Sequence, residues 1–356
     1  MNINTYDAFN EDDFLFYRGR HNTPLNDKFL EKINEYAGTR VRWRFLNFGN
    51  WADGCPNDRI INHRTKAEDL EGKTIVLFVT LDTQVTMMDC LHLCMAFKTT
   101  YKVKKILLVI SFLLVRRNDH DERNEEIPYL KQYCEFLSYA GVSDIIYCEP
   151  HSGAMAKYCQ ALGIRFVPAY VDFSEKIKGI LPRGEKAKKV FYSPDQGSLP
   201  RAIAHAKKSS TMVVFDLKKR QNNETRIREA SADEINAVIS EYSQKFNFPD
   251  IKHSSSVDLT GYDVIMIDDE RTTGGTANNT ARKLRDKWNA NIYFLYTHGV
   301  SVSAWDMTLF KDNPFKNVVA CDTIERDAVD RTGGRIVDTS AADALAIETL
   351  GVIRQS

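Results

Sequence analysis

The sequence predicts an α/β protein of two tandem domains, each a mostly parallel sheet flanked by helices. Two observations carry that reading. Short runs rich in Val, Ile and Leu alternate with segments of helical spacing, the pattern of strands joined by helical crossovers. The chain of 356 residues is large for one domain and comfortable for two.

In the first half, Phe14–Tyr17 reads as a strand and Pro24–Tyr36 as a helix, with Leu25, Phe29 and Ile33 on one face. A strand near Val41–Phe45 precedes an irregular aromatic segment, Asn47 to Asn57. Thr74–Val79 and Lys105–Ile110 are buried strands around a helix at Thr83–Thr99. A helix from Glu125 to Ala140 stops at Gly141, and Asp144–Cys148 is again a strand. A boundary region is expected at Pro168 to Pro182, and the domains are taken as 1–165 and 166–356.

The second half repeats the rhythm with strands Val190–Tyr192, Met212–Phe215, Val264–Ile267 and Ile292–Tyr296, and helices Pro200–Lys208 and Thr276–Trp288. One piece interrupts it. The polar stretch 221–256 reads as an ordered insert holding a helix that starts at Ser231, where Glu234 completes a capping box.

Composition narrows the function. Acidic and basic residues number 48 each, which argues against a general nucleic-acid or membrane surface. Seven cysteines without a C-x-x-C pair fit a reducing compartment, and Cys90 and Cys94 share a helical face as core residues do. The longest apolar run, Ile106 to Val115, is far short of the roughly 20 residues a membrane span needs. Met1 to Asp13 is polar and acidic, unlike a targeting peptide. A soluble cytoplasmic protein is expected.

The most informative stretch is Val264-Ile-Met-Ile267 followed by Asp268-Asp269-Glu270-Arg271-Thr272-Thr273-Gly274-Gly275-Thr276. Thr272 to Thr276 can turn backbone N–H groups inward, and the glycines let a phosphate approach closely. The helix that follows adds a favourable dipole. Asp268 and Asp269 would repel phosphate and suit sugar hydroxyls or a bridging cation. Together they describe a ribose 5-phosphate site; the ordered set makes the alternative, an acid-capped helix after a Gly-Gly turn, the weaker reading.

Four other segments follow strands: Arg116-Arg117-Asn118-Asp119, Glu149-Pro150-His151, Ser193-Pro194-Asp195 and Lys218-Lys219-Arg220. Taken singly, each is an ordinary charged loop or a lone histidine. All of them sit at the carboxyl ends of strands, where open α/β sheets build their sites.

In order, these segments resemble those of the ribose-phosphate diphosphokinase (PRPP synthetase) family, over roughly Phe14 to Glu325. The phosphate loop resembles the one that family shares with type I phosphoribosyltransferases. Arg117-Asn118-Asp119 resembles the family's Arg-Gln-Asp ATP contact. His151 matches the His of Asp-Leu-His, Asp195 the Asp of Asp-x-Gly-Gly, and Lys218 and Arg220 the Lys-x-Arg of the catalytic loop. Thr297-His298-Gly299 and Asp322-Thr323-Ile324 echo later family segments.

The resemblance implies two phosphoribosyltransferase-like domains and transfer of the β,γ-diphosphate of ATP to the 1-hydroxyl of ribose 5-phosphate, releasing AMP. It implies that Thr272, Thr273, Gly274, Gly275 and Thr276 hold the 5′-phosphate and that Asp268 and Asp269 hold ribose hydroxyls. Arg117, Asn118 and Asp119 would meet ATP, as would Trp51 and Asp53. His151 and Asp195 would stand near Mg²⁺, and Lys218, Arg220 and His151 would serve catalysis. It also implies a homo-oligomer; that no nucleic acid or membrane is a partner is expected from the charge balance.

Four departures stand out. Trp51-Ala52-Asp53-Gly54-Cys55 ends in Cys where the family's adenine-contacting segment has Glu. Glu149-Pro150 replaces Asp-Leu before His151. Thr272 replaces Asp, and Glu270 and Arg271 occupy positions that are commonly apolar. Arg271 is therefore expected either to contact a second phosphate of the acceptor or to form an exposed pair with Glu270. In the first case the acceptor would be ADP-ribose, used by some divergent relatives implicated in NAD⁺ salvage, with the 221–256 insert reshaping its pocket. The same motifs also admit a type I phosphoribosyltransferase or a non-catalytic regulatory paralogue.

Overall fold

The computed structural model describes residues 9–21, 23–44, 46–53, 56–60, 69–119, 126–182, 188–220, 227–300, 302–324 and 328–356, with backbone only at 218–220 and 227–229. The chain forms two compact units. One comprises Met1–Val171 with Ser340–Ser356, and the other Asp172–Thr339.

The first unit runs β1 (Phe14–Arg18), α1 (Pro24–Ala37), β2 (Thr74–Leu81), α2 (Gln84–Thr99), β3 (Lys105–Leu113), α3 (Tyr129–Tyr139), β4 (Asp144–Cys148), α4 (Ala154–Ala161) and β5 (Arg165–Ala169). Its five strands are all parallel and lie in the order of the sequence, β1-β2-β3-β4-β5. Every residue of β2 is buried, because helices cover both faces of the sheet. On one face Ile75 and Leu77 join Leu91 and Cys94 of α2 and Leu137 of α3. On the other, Phe78 meets Phe29 of α1 with ring centroids 4.9 Å apart. The C-terminal helix Ala342–Ile353 packs against α1 and across β3, β4 and β5. The expected boundary at 165/166 thus falls at β5, and the last residues of the expected second domain return to the first unit.

Some expectations shift here. Val41–Phe45 forms no strand among its described residues; a single bridge joins Arg44 to Tyr17. The Trp43 ring there lies 6.2 Å from that of Phe29, so side-chain packing holds the segment where a ladder was expected. Arg165–Ala169 is an edge strand despite Pro168, at the one place in a sheet where a missing N–H is tolerated.

The second unit runs α5 (Ser174–Ile180), β6 (Lys189–Ser193), α6 (Leu199–Ser209), β7 (Val213–Phe215), β8 (Lys218–Arg220), β9 (Ile227–Glu229), α7 (Ala232–Phe246), β10 (Ile251–His253), β11 (Asp263–Arg271), α8 (Gly275–Trp288), β12 (Asn291–Gly299), α9 (Trp305–Leu309), β13 (Phe315–Cys321), α10 (Ala328–Arg331) and β14 (Ile336–Thr339). Seven strands form a sheet in the order β10-β7-β6-β11-β12-β13-β14, every pair parallel. β8 and β9 form a separate antiparallel hairpin.

The polar stretch 221–256 proves to be part of this architecture. Ser231 caps α7 by accepting from the Glu234 N–H at 3.3 Å, and the Glu234 carboxylate accepts from the Ser231 N–H at 2.8 Å. β10 then pairs with β7 at the sheet edge, so β7, α7 and β10 make one crossover unit. Two strands, β7 and β6, separate β10 from β11. That position argues against the stretch reshaping a pocket at the phosphate loop.

Candidate active site

β6 and β11 pair from Asp263 opposite Lys189 to Met266 opposite Tyr192. β11 then continues against β12 as far as Arg271 opposite Gly299. Past Met266 its other edge has no ladder partner, because β6 ends at Ser193 and the chain turns toward α6. Here the strand order also reverses: β7 and β10 extend to one side, β12 to β14 to the other. Such switch points leave a crevice at the carboxyl ends of the strands. The sequence suggested that the acid pair follows the strand. Instead Asp268 to Arg271 belong to β11, which the core-like run 264–267 did not announce because its continuation is charged.

The crevice collects carboxylates. After β6, Asp195 Oδ1 accepts from the Ser198 N–H at 3.0 Å, which braces the start of α6. From that helix Arg201 reaches Asp269, 3.7 Å away, with both side chains largely buried. Asp268 lies beside them, half-buried. Its carboxyl pKa is pushed well above the usual range, first by burial, then by the negative charges of Asp269 and Asp195, with Arg201 opposing. Arg201 was absent from the predicted site. Its only sequence signal is a cation in the first turn after Asp195.

Asp195, Asp268 and Asp269 supply hard oxygen atoms of the kind Mg²⁺ prefers. The crowding of negative charge at Asp268 is what a divalent cation would relieve, so the donor set fits. Among the described residues no group of three or more His, Cys, Asp and Glu side chains is arranged to enclose a metal. A hydrated Mg²⁺ held by one or two carboxylates and substrate phosphates requires none.

The phosphate loop follows directly. Gly274 is the N-cap of α8 with φ +76°, a left-handed conformation that favours glycine. A Cβ there would stand 2.8 Å from the Leu309 side chain, so α9 closes that side of the loop. Asn278, buried in the first turn of α8, donates to the carbonyls of Leu309 and Lys311, both at 2.8 Å. Thr273 and Thr276 are exposed, leaving the helix start open to an anion. A cleft of about 390 Å³ begins at Thr276 and follows α8 past Asn279, Thr280, Arg282, Lys283 and Asp286.

Glu270 and Arg271 are buried, against the reading of an exposed pair. The Arg271 guanidinium lies 3.6 Å from the Trp305 ring centroid and 5.2 Å from that of Tyr296. Its Nη1 donates to the Thr272 carbonyl at 3.0 Å. At 1% exposure its described contacts are with these rings and the loop backbone.

The residues of the first unit expected to meet ATP occupy loops. Arg117 is exposed after β3, while its neighbour Arg116 is buried with its guanidinium 4.4 Å from the Phe112 ring centroid. Asn118 donates its N–H to the Val115 carbonyl at 3.0 Å, and Tyr158 donates to the Asp119 carbonyl at 3.1 Å. Glu149 has φ +46°, and its carboxylate accepts from the Val171 N–H at 2.9 Å. Glu149-Pro150 is thus a structural turn that leads into the half-buried His151. Trp51 and Asp53 are exposed on an irregular antiparallel flap bridged at Asn47–Arg59 and Asn50–Pro56. Cys55 lies outside the described residues.

Lys218 and Arg220 stand on the backbone of β8, opposite Glu229 and Ile227 of β9. Thr297-His298-Gly299 and Asp322-Thr323-Ile324 meet where β12 and β13 end. Thr323 donates to the Thr297 carbonyl at 2.9 Å, so the buried His298 donates its Nδ1–H to the Thr323 hydroxyl at 2.9 Å.

Two mostly parallel sheets flanked by helices make a phosphoribosyltransferase-like fold. The chain shares the fold of phosphoribosylpyrophosphate synthetase from Mycobacterium smegmatis, with a TM-score of 0.71 at 18% identity over 97% of this chain and all of the other. It is 22% identical to the ribose-phosphate pyrophosphokinase of Deinococcus radiodurans over 344 residues, 93% of this chain and 92% of the relative. The same-named enzyme of Caldanaerobacter subterraneus is 24% identical over 90% and 91% of the two chains. With that of Saccharolobus solfataricus the match, 25% identical, spans about half the length of either chain, 50% and 52%. No protein-family model matches. Over most of its length the chain is thus similar to ribose-phosphate pyrophosphokinases, at low identity.

Proposed function

We infer that this protein is a cytoplasmic, homo-oligomeric diphosphotransferase that moves the β,γ-diphosphate of ATP to the 1-hydroxyl of a ribose 5-phosphate acceptor. The observation that carries this reading is the crevice between β6 and β11. There Asp195, Asp268, Asp269 and Arg201 adjoin an open phosphate loop.

In this reading Thr272 to Thr276 bind the 5′-phosphate through N–H groups and the α8 dipole. Asp268 and Asp269 accept hydrogen bonds from the ribose hydroxyls and so orient the 1-hydroxyl. That oxygen attacks the β-phosphorus of ATP, the bond between the α- and β-phosphates breaks, AMP leaves, and the hydroxyl proton is released. Lys218 and Arg220 stabilise charge on the transferring group, the contribution on which phosphoryl transfer most depends. Arg117, Asn118 and Asp119 hold ATP, as do Trp51 and Asp53. His151 and Asp195 stand near its phosphates. Bound Mg²⁺ would neutralise phosphate charge, held by Asp195 and the acid pair. Imidazole is a poor Mg²⁺ ligand, so His151 acts through water or on phosphate.

A finer reading takes ADP-ribose as acceptor, yielding its 1-diphosphate for NAD⁺ salvage. The cleft that leaves Thr276 along Arg282 and Lys283 supports it, since a substituent on the 5′-phosphate needs room and counter-charge there. The assay is AMP release from ATP with ribose 5-phosphate or ADP-ribose in parallel. AMP formed with only one of them identifies the acceptor; none with either removes the proposal.

A further inference from the structure

We propose that Arg271 and Trp305 are positioning residues that hold the phosphate loop in its anion-binding shape. The inference rests on the acceptor reading above and concerns two buried side chains beside the loop.

Arg271 is the last residue of β11, one position before the loop begins. A guanidinium at 1% exposure costs substantial desolvation, so its surroundings must return several contacts. Its plane meets Trp305, itself fully buried, at 3.6 Å, and its Nη1 takes the Thr272 carbonyl at 3.0 Å. The Arg331 guanidinium lies 5.4 Å from the same indole and pairs with Asp306 at 3.2 Å.

Trp305 opens α9, and the other end of that short helix reaches the same loop. Leu309 occupies the space beside Gly274, and its carbonyl takes the Asn278 amide. α9 therefore grips the loop at Thr272 through Arg271 and at Gly274 directly.

A Gly-Gly loop has many conformations to lose on ordering, and a loop fixed beforehand binds without that cost. Lysine would keep the charge but lack the planar, forked group that stacks on the indole while bonding a carbonyl. A direct contact with a second acceptor phosphate would need Arg271 to leave this stack.

The test uses the full-length protein and its variants Arg271→Met, Arg271→Lys and Trp305→Phe. Each is checked by thermal melting and titrated calorimetrically with ribose 5-phosphate and with ADP-ribose, with ATP kinetics alongside. Methionine and phenylalanine approximate the volumes they replace, which cores tolerate best. The expected result is an affinity about 10- to 30-fold weaker for whichever acceptor the wild type binds, in the same proportion if it binds both. Arg271→Lys gives no rescue, KM for ATP stays within about 2-fold, and kcat changes less than KM for the acceptor.

Unchanged acceptor affinity in folded Arg271→Met and Trp305→Phe overturns the brace while leaving the acceptor reading intact. Where the wild type binds both sugar phosphates, a loss confined to ADP-ribose overturns it in favour of direct contact. A wild type that binds neither sugar phosphate overturns the acceptor reading and the brace together.

Discussion

The two sheets present their carboxyl ends in different ways. In the first unit the strands follow sequence order from β1 to β5, so the order never reverses. Its residues proposed to meet ATP stand on loops: Arg117 exposed after β3, His151 beyond a strained turn, Trp51 on a flap. In the second unit the order reverses between β6 and β11, and the residues proposed to meet the acceptor are built into strand and helix ends. Asp268 and Asp269 lie on β11 itself, Gly274 caps α8, and Arg201 comes from α6. The difference teaches that, on the proposed function, the acceptor would be placed by strand and helix ends, whereas ATP would meet residues carried on loops. Substitutions on the acceptor side should therefore couple to folding more than those on the ATP side.

The largest effect expected is on turnover. Arg220→Ala should lower AMP formation about 100- to 1,000-fold, roughly 3–4 kcal/mol, while ribose 5-phosphate affinity stays unchanged. Near-normal AMP release by this variant would remove Arg220 from the mechanism.

A pair of glycines sharpens the comparison directly. Gly274→Ala combines a left-handed φ of +76° with a 2.8 Å clash against Leu309, and should cost about 3 kcal/mol along with acceptor binding. Gly153 of the first unit also caps a helix, but has φ −76° and open space around it. Gly153→Ala should shift stability by less than about 0.5 kcal/mol. Equal losses in thermal and denaturant melts would erase the contrast.

Acid should affect the second unit through His205, which is buried between Phe173 and Phe191. Burial lowers its pKa from 6.5 to about 4, with Lys208 adding to the shift. The folded state then binds fewer protons than the unfolded one between these values. Stability is full above about pH 6.5 and falls as pH drops toward 4, by at most about 3 kcal/mol. His205→Phe should flatten that part of a melting-versus-pH curve; an unchanged slope would exclude His205 as its source.

Asp268 works in the opposite sense. Its raised pKa means that the folded state holds the extra proton, so its contribution to stability declines as pH rises above the ordinary carboxylate range. Asp268→Asn should raise the melting temperature at neutral pH while weakening acceptor binding. A lower melting temperature would show that the crowding is not repulsive. The smallest effect is expected from Ser231→Ala, which removes the α7 cap and costs about 1 kcal/mol without altering turnover.

Much of this was legible in the sequence, because continuous apolar runs such as Thr74–Val79 and Val264–Ile267 have few ways to fold except as a buried strand. The Ser231–Glu234 box and the Gly-Gly loop were equally plain, since caps and left-handed turns restrict residue choice. Other features depended on distant partners. The extension of β11 through four charged residues required β12 as a ladder partner, and burial of Arg271 required Trp305 from a later helix. β10 was hidden in a polar stretch because it is three residues long and lies at a sheet edge. Arg201 became a site residue only when α6 brought it to Asp269.

That the β6–β11 crevice holds the acceptor of a diphosphate transfer meets its most direct test in ³¹P NMR. The full-length protein is mixed with Mg²⁺, ATP and either ribose 5-phosphate or ADP-ribose. ATP signals should decay into AMP together with a new pair of diphosphate resonances from the acceptor, and Asp269→Asn should suppress both. Formation of ADP and phosphate, or ATP left intact with both acceptors, would contradict that assignment.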